Sequence, residues 1–189
     1  AWSNRQMITH WTRKSFERIF SQTESDLDMK LVYDVAHNIA KVEKHNVNGE
    51  ERKLVVHRKG ATRAFPSNRN EIPSKYRDLG QPVLVPGSMG TSSWILLGKS
   101  NSMDLSFGST AHGAGRTMSR SKARRNFTED SVKKSLNDKG IFIKALTRDG
   151  VVEETPQAYK DVDSVVNVSH NLGIATKVAK LVPIGVIKG

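Results

Sequence analysis

The sequence predicts an α+β fold built from mixed sheets and helices. Short apolar runs bounded by turn residues, which are typical of strands, are interspersed with segments of helical spacing and capping. The two kinds of segment do not alternate regularly, so the βαβ units of a doubly wound sheet are not predicted. The pattern defines a fold class and no topology.

The composition favours one soluble domain with anionic partners. A chain of 189 residues is long enough to bury one substantial core, and no apolar run approaches the roughly 20 residues that cross a bilayer. Lysines and arginines number 30 against 19 aspartates and glutamates, a formal net charge of +11, which indicates RNA, DNA or nucleotides. The absence of cysteine excludes disulfides, thiolate metal ligands and a thiol nucleophile.

The first third of the chain predicts a helix and a hairpin. Ile8, Trp11, Ser15 and Ile19 follow helical spacing within residues 4–20, which predicts an amphipathic helix. A polar linker follows over 21–28, and the apolar run 31–36 fits either a strand or a helix. The turn formers Asn48 and Gly49 precede an apolar strand at 54–56, which predicts a hairpin ending near residue 60.

The middle of the chain predicts two strands joined by a loop of small residues. Residues 64–82 contain prolines, glycine and charges and are predicted as a loop. Apolar runs at 83–85 and 94–98 predict strands on either side of the segment 86–93. Such a loop suits a nucleotide cradle, but loops of this composition are more often plain connections between strands.

The last third predicts more short elements. Residues 121–125 are predicted as a helix, and Thr128 is predicted to cap another that stops near Gly140. Strands are predicted at 141–143 and 151–152 around a turn at 148–150. A helix over 161–171 and a strand within 177–188 complete the prediction.

The segment 107–120 carries the most chemistry. Its centre is His112, which is followed by the small residues Gly113, Ala114 and Gly115 and then by Arg116 and Arg120. A nucleophilic or metal-binding imidazole, backbone amides open to phosphate and nearby guanidinium groups are the parts of a phosphoryl- or nucleotidyl-transfer site. The alternative is a glycine-rich turn whose histidine only makes local hydrogen bonds.

Other common sites find little support. The six histidines lack the spacing of a zinc-binding helix, and the chain has no Ser-centred nucleophile elbow and no P-loop. His37 follows an apolar run and precedes Asn38, and His112 lies among glycines. These two histidines are therefore the stronger candidates.

Five motifs together resemble the RtcB family of RNA-splicing ligases. They are YDVAHN at 33–38, HRKGATRA at 57–64, PGSMG at 86–90, HGAGR at 112–116 followed by MSR at 118–120, and PIGVIKG at 183–189. The resemblance covers the whole chain and is closest to the C-terminal part of the catalytic domain of an archaeal member, ending at its natural C-terminus. The chain begins without an initiator methionine, so we expect a fragment, a processed chain or half of a split protein that lacks the N-terminal part.

Membership implies an enzyme that uses GTP and manganese to join a 2′,3′-cyclic phosphate or 3′-phosphate RNA end to a 5′-hydroxyl end. It implies that His112 attacks the α-phosphate of GTP and carries a covalent GMP. It also implies a role in tRNA splicing or RNA repair, tRNA exon halves as RNA partners, archease as an assisting protein, a cytoplasmic location and the family's own unusual fold.

The resemblance also implies functions for individual residues. His37 would be a manganese ligand, with Asn38 beside the nucleotide. The residues implied around the guanylate are Pro86, Gly87, Ser88, Met89, Ser93, His112, Gly113, Ala114, Gly115, Tyr159 and Lys188, with Tyr159 near the base and Lys188 reaching the guanine. Lys59, Arg116 and Arg120 are candidates for RNA or triphosphate contacts.

The family's remaining metal ligands are an aspartate, a cysteine and two histidines of the N-terminal part, and nothing in this sequence replaces them. We therefore expect that this chain alone does not ligate RNA. Two alternatives from other classes are a basic RNA- or GTP-binding module without catalysis and a metal-dependent phosphoesterase.

Overall fold

A computed structural model describes residues 2–188 as a mixture of helices and short strands. The α-helices in this range are α1 (Trp2–Phe20), α2 (Asn101–Ser106), α3 (Arg120–Asn126), α4 (Glu129–Asn137), α5 (Arg148–Glu153) and α6 (Val162–Asn171). The strands in this range are β1 (Asn38–Val47), β2 (Glu50–Lys59), β3 (Ala61–Arg63), β4 (Pro82–Val85), β5 (Ser93–Gly98), β6 (Ser109–Ala111), β7 (Phe142–Ala145), β8 (Ala175–Leu181) and β9 (Gly185–Lys188). They pair into small open sheets, which confirms the α+β class.

The chain forms two compact units, one ending at Ala36 and the other beginning at His37. Ala1 and Gly189, the last residue of the motif at 183–189, lie outside the described residues. No helix between residues 2 and 188 combines the length and the apolar composition that crossing a membrane requires.

The first unit contains α1, which confirms that a helix forms here, but no apolar face of it is buried. Its apolar side chains are largely exposed, with Ile8 at 65%, Trp11 at 61% and Ile19 at 68%. The segment after the helix returns beside it and is held there by a hydrogen bond, in which Nη2 of Arg13 donates to the carbonyl oxygen of Met29 at 2.9 Å.

The apolar run 31–36 is neither a strand nor a helix. Arg5 on α1 ties this run down, since its Nη2 donates to Oδ2 of Asp34 at 3.1 Å. A strand needs a neighbour for its backbone hydrogen bonds, and within the first unit's described residues no strand is present to pair with this run. The apolar composition alone did not reveal this.

The second unit begins with the predicted hairpin. β1 and β2 pair antiparallel from Asn38 opposite Lys59 to Val47 opposite Glu50. Between them, Asn48 and Gly49 have φ angles of 54° and 89°. Two consecutive left-handed residues form the tight turn that the Asn-Gly pair predicted.

The predicted strands around residues 86–93 are also confirmed. β4 and β5 pair antiparallel, with Val83 opposite Leu96, and β8 adds to the other edge of β5. Buried Val83, Val85 and Leu96 contribute to one core cluster with residues of α6. A second cluster contains Met89 and apolar residues of α4 and α5.

Two further pairings place residues that matter below. β3 pairs antiparallel with β6, so that Ala61 lies opposite Ala111. β9 pairs parallel with β7, so that Lys188 lies opposite Ala145. Neither pairing was predicted, because both join segments far apart in the sequence.

Helices α3, α4 and α6 confirm their predictions, but residues 148–152 correct one. We expected a turn at 148–150 and a strand at 151–152, and the chain instead forms α5. The Oγ1 of Thr147 accepts a hydrogen bond from the amide of Gly150 at 3.2 Å, which is an N-cap. Val151 and Val152 are buried on this helix, so a pair of valines was misread as a strand.

The strand predicted within 177–188 is two strands in different sheets. β8 pairs with β5, whereas β9 pairs with β7. Pro183 lies between them and supplies no backbone N–H, which interrupts the ladder. The short helix α2 was not predicted at all.

Candidate active site

His112 lies immediately beyond the β3–β6 ladder. Because Ala61 pairs with Ala111, the residues just past this pair, Gly60 and His112, are brought together. The Nδ1 of His112 lies 2.7 Å from the carbonyl oxygen of Gly60. A carbonyl oxygen can only accept, so Nδ1 carries the proton, and in the neutral ring Nε2 keeps its lone pair.

Gly60 also holds His37. The amide of Gly60 donates to the carbonyl oxygen of His37 at 3.0 Å. The rings of His37 and His112 stack with centroids 5.0 Å apart and an angle of 18° between their planes. The two histidines singled out in the sequence, which are 75 positions apart, therefore form one site.

Gly60 adopts a φ of +71°, and a Cβ there would lie 3.5 Å from Cε1 of His112. The left-handed backbone favours glycine at this position. Gly60 lies in the motif HRKGATRA at 57–64, but no function was predicted for it.

The backbone after His112 lies against the loop that follows β4. The amide of Ala114 donates to the carbonyl oxygen of Pro86 at 2.9 Å, and a Cβ at Gly113 would lie 3.2 Å from that oxygen. Ala114 is buried in the first core cluster. The small residues allow this close approach, so two predicted nucleotide-binding segments are adjacent.

The loop 86–93 is held by its own hydrogen bonds. The amide of Ser88 donates to Oγ1 of Thr91 at 2.7 Å, and the amide of Gly87 donates to Oγ of Ser93 at 3.4 Å. A Cβ at Gly87 would lie 2.1 Å from the carbonyl oxygen of Ser92, so this turn requires glycine. Met89 differs from its neighbours, since its side chain is buried in the second core cluster.

Asn38 and Lys59 are the sequence neighbours of His37 and Gly60. They are the first cross-strand pair of the hairpin, and both are exposed. Lys59 therefore presents its ammonium group to solvent at the end of the hairpin that adjoins His37. The remaining candidates share one partner; they are Arg116, Arg120, Tyr159 and Lys188.

Those four side chains meet at one carboxylate, Glu154. The Tyr159 hydroxyl donates to Oε2, and Nζ of Lys188 lies 3.7 Å from the same oxygen. Nη1 of Arg116 and Nε of Arg120 lie 3.4 and 3.6 Å from Oε1. Glu154 was not among the predicted site residues, because nothing in its local sequence marks it.

Arg116 is engaged by other protein groups as well. Its Nε donates to the carbonyl oxygen of Met118 at 3.0 Å, and its Nη2 donates to that of Glu153 at 2.7 Å. Its guanidinium lies over the ring of Tyr159, 5.0 Å from the centroid. In this structure Arg116 joins the motif at 112–116 to the segments around α5 and Tyr159.

The electrostatics keep Glu154 ionised and Tyr159 protonated. Partial burial by itself would raise the pKa of Glu154, but the Tyr159 hydrogen bond and the charges of Lys188, Arg116 and Arg120 together hold that pKa below its ordinary value. Burial and the adjacent carboxylate raise the pKa of the Tyr159 hydroxyl. Glu154 is therefore an acceptor and Tyr159 its donor near neutral pH.

A buried ionic cluster fixes the hairpin to the segment that leads to His112. Nη1 and Nη2 of Arg58 donate to the two oxygens of Glu43 at 2.7 and 2.8 Å. Nε of Arg58 donates to Oγ of Ser109 at 2.8 Å, and Nη2 also donates to the carbonyl oxygen of Phe107 at 2.8 Å. Both Arg58 and Glu43 have only 2% of their side-chain surface exposed.

A manganese site is not complete in these residues. Within residues 2–188 no group of three or more histidine and carboxylate side chains is arranged to hold a metal ion. His37 stacks on His112, but among the described residues these two are not joined by a third side chain that could complete a metal site. The described residues therefore supply at most one part of a metal site.

An imidazole with one fixed proton and one free lone pair, set beside backbone segments of small residues, is suited to nucleophilic attack on phosphorus. A family model described as "tRNA-splicing ligase RtcB" matches residues 1–189. The chain belongs to this family.

Archaeal relatives support the same assignment. Proteins named tRNA-splicing ligase RtcB from Aeropyrum pernix, Thermococcus kodakarensis and Nanoarchaeum equitans are 57%, 55% and 52% identical to this chain over 189 residues. In each case the whole chain is matched, but it spans only 39%, 39% and 40% of the relative's length. The chain thus corresponds to about two fifths of these proteins.

Proposed function

We propose that this chain is the part of an RNA ligase that carries the nucleophilic histidine. The ligase would use GTP and manganese to join a 2′,3′-cyclic phosphate or 3′-phosphate end to a 5′-hydroxyl end. The observation that carries the proposal is the hydrogen bond from Nδ1 of His112 to Gly60. That bond leaves Nε2 as the free nucleophilic atom.

In the first proposed step, the Nε2 lone pair attacks the α-phosphorus of GTP. The bond from this phosphorus to the bridging oxygen of the β-phosphate breaks, pyrophosphate leaves, and GMP is bonded to His112. The ring becomes cationic and keeps its Nδ1 proton. The hydrogen bond to Gly60 strengthens as that charge appears, because charge-assisted hydrogen bonds are the stronger ones.

In the next proposed step, an oxygen of the RNA 3′-phosphate attacks the same phosphorus and His112 leaves as neutral imidazole. The 5′-hydroxyl oxygen of the second RNA end then attacks the activated 3′-phosphorus. Its proton passes to solvent, GMP leaves, and a 3′–5′ phosphodiester is formed. A 2′,3′-cyclic end must first be opened by water to the 3′-phosphate.

Other residues of the chain support these steps. A Cβ at Gly115 would meet nothing within 4 Å, so phosphate can approach the backbone there. Gly113 and Ala114 hold the turn at 86–93 beside it through Pro86. Lys59 offers an exposed positive charge to RNA. Manganese would withdraw charge from phosphate oxygens when bound, with His37 as one ligand and the other ligands outside this chain.

The proposed partners are inferred from the family and from the part of the relatives' length that this chain does not cover. RNA, such as tRNA exon halves, is the proposed substrate, and archease is a proposed assisting protein. The rest of the relatives' length is the proposed source of the missing metal ligands. We call the assembly of this chain with a polypeptide that supplies that remaining length the reconstituted ligase.

Labelling with GTP radioactive at the α-phosphate tests the proposal. The reconstituted ligase is expected to gain covalent label with manganese, and His112→Ala should abolish it. His57→Ala removes an exposed imidazole of β2 and serves as the matched control that keeps the label. Persistent label in His112→Ala would place the nucleophile elsewhere, and hydrolysis without a covalent product would favour a phosphoesterase.

The isolated 189-residue chain is a second sample in that experiment. We expect it to gain no substantial label, because its described residues form no complete metal site. Substantial label on His112 of the isolated chain would show that the rest of the relatives' length is not required for the first step.

A further inference from the structure

Glu154 brings three other segments of the chain together at a single carboxylate. It directly follows α5, where it is the C-cap, and its side chain is 22% exposed. Arg116 and Arg120 come from the segment after His112, Tyr159 from the stretch before α6, and Lys188 from the end of β9. Contacts from so many separate segments are not needed to cap a six-residue helix.

The two carboxylate oxygens have different partners. Oε2 accepts from the Tyr159 hydroxyl and faces the Lys188 ammonium at 3.7 Å. Oε1 faces Arg116 and Arg120. One oxygen thus contacts the two side chains that the family resemblance implies near the nucleotide base. The other contacts two arginines that are candidates for RNA or triphosphate contacts.

The contact with Lys188 leaves that residue able to bind. At 3.7 Å it is an ion pair longer than a normal hydrogen bond, so the three N–H donors of the ammonium are not consumed by Glu154. The Tyr159 hydroxyl gives its single proton to Glu154 and accepts from Nη1 of Arg116 at 3.1 Å. Glu154 therefore orients both groups while Lys188 keeps its donors.

We propose that Glu154 is a positioning residue of the nucleotide site, which holds Tyr159 and Lys188 where they receive the base of GTP. This inference rests on the proposed function. It assigns to Glu154 no contact with the nucleotide itself, so its effect must pass through Tyr159 and Lys188.

Glu154→Gln in the reconstituted ligase tests the proposal, because the substitution keeps the shape and removes the charge. We expect KM for GTP in His112 labelling to rise about tenfold, the effect of losing one charge-assisted contact, while kcat changes little. Asp149→Asn removes a charge from α5, the helix that Glu154 follows, at a residue that contacts Arg124. It should change neither constant. A fall in kcat with unchanged KM would overturn the proposal.

Inosine triphosphate separates positioning from direct contact. It lacks only the 2-amino group of guanine. If Glu154 acts through Tyr159 and Lys188, Glu154→Gln weakens GTP and inosine triphosphate by the same factor. If GTP alone is weakened, Glu154 contacts the 2-amino group and the positioning proposal is wrong.

Titration of the Tyr159 hydroxyl gives a readout that does not depend on activity. With ring-labelled tyrosine followed by NMR, Glu154→Gln should lower the pKa of Tyr159 towards its ordinary value, and Asp149→Asn should leave it unchanged. An unchanged Tyr159 titration in Glu154→Gln would overturn the inference. Absence of label in the wild-type ligase would instead overturn the proposed function, so the two failures are distinguishable.

Tyr159→Phe is the second variant if Glu154→Gln fails to fold. It removes only the hydroxyl that Glu154 holds and should raise KM for GTP in the same direction. Where both variants fold, the double variant should raise KM for GTP by less than the product of the two separate factors, because the two residues act as one unit. Fully multiplicative effects would contradict the inference.

Discussion

The carbonyl oxygen of Gly60 accepts the Nδ1 proton of His112 at 2.7 Å. The same glycine donates its amide to the carbonyl oxygen of His37 at 3.0 Å. One residue in a left-handed conformation thus sets the tautomer of one histidine and the backbone position of the other. The reactivity of His112 is expected to depend on Gly60 as much as on its own glycine-rich motif.

Gly60→Ala should slow His112 labelling about tenfold at saturating GTP, as loss of an orienting partner commonly does. An alanine strains at φ +71°, and relief of that strain rotates the carbonyl away from Nδ1. The rate of covalent label formation in the reconstituted ligase measures the effect.

Gly49→Ala is the matched control for that variant. Gly49 has φ +89° at the far end of the hairpin, and a Cβ there would meet nothing within 4 Å. Both variants should lose about 1–2 kcal/mol of stability, but only Gly60→Ala should lose labelling rate. Equal rates in the two variants would show that the carbonyl of Gly60 does not orient His112.

Arg116→Lys should destabilise the fold by about 1–3 kcal/mol, because lysine cannot replace the forked donors to the carbonyl oxygens of Met118 and Glu153. Chemical denaturation measures this loss. Arg125→Lys, on an exposed position of α3, should leave the denaturation midpoint unchanged. An Arg116→Lys variant as stable as the parent would mean that these bonds are not structural.

Glu43→Gln should cost about 3–5 kcal/mol near pH 7, since it leaves the buried charge of Arg58 without its partner. Burial by itself would raise the pKa of Glu43, but hydrogen bonds from Arg58 and His45 and the charges of Arg58 and Arg63 together lower that pKa. The stabilisation is therefore complete above the unfolded pKa of about 4.3. It is lost as the pH falls through the lower folded pKa.

Denaturation midpoints between pH 7 and pH 3 test the prediction for Glu43. The difference between the parent and Glu43→Gln should shrink at the acid end of this range. Glu51→Gln removes an exposed carboxylate of the same hairpin, paired with Lys44, and should change the midpoint little at any pH. A constant gap between the parent and Glu43→Gln would show that the Glu43 carboxylate does not titrate as proposed.

Local signals in the sequence were sufficient for most elements. Asn48 and Gly49 predicted the hairpin, Thr128 predicted the start of α4, and the apolar runs around residues 86–93 predicted β4 and β5. These signals depend on backbone preferences of neighbouring residues. The valines of α5 were predicted as a strand, and the apolar run 31–36 as a strand or a helix. Both predictions were wrong, because a short apolar run does not specify its secondary structure.

The α+β class, the family and the two candidate histidines could be predicted from the sequence, because glycine spacing, capping residues and motifs are local features of the chain. Three long-range contacts could not be predicted in this way. Gly60 meets His112 across 52 positions, Glu43 neutralises Arg58, and Glu154 contacts both Tyr159 and Lys188. Such contacts depend on strand pairings such as β3 with β6 and β7 with β9, and those pairings leave no mark in the local sequence.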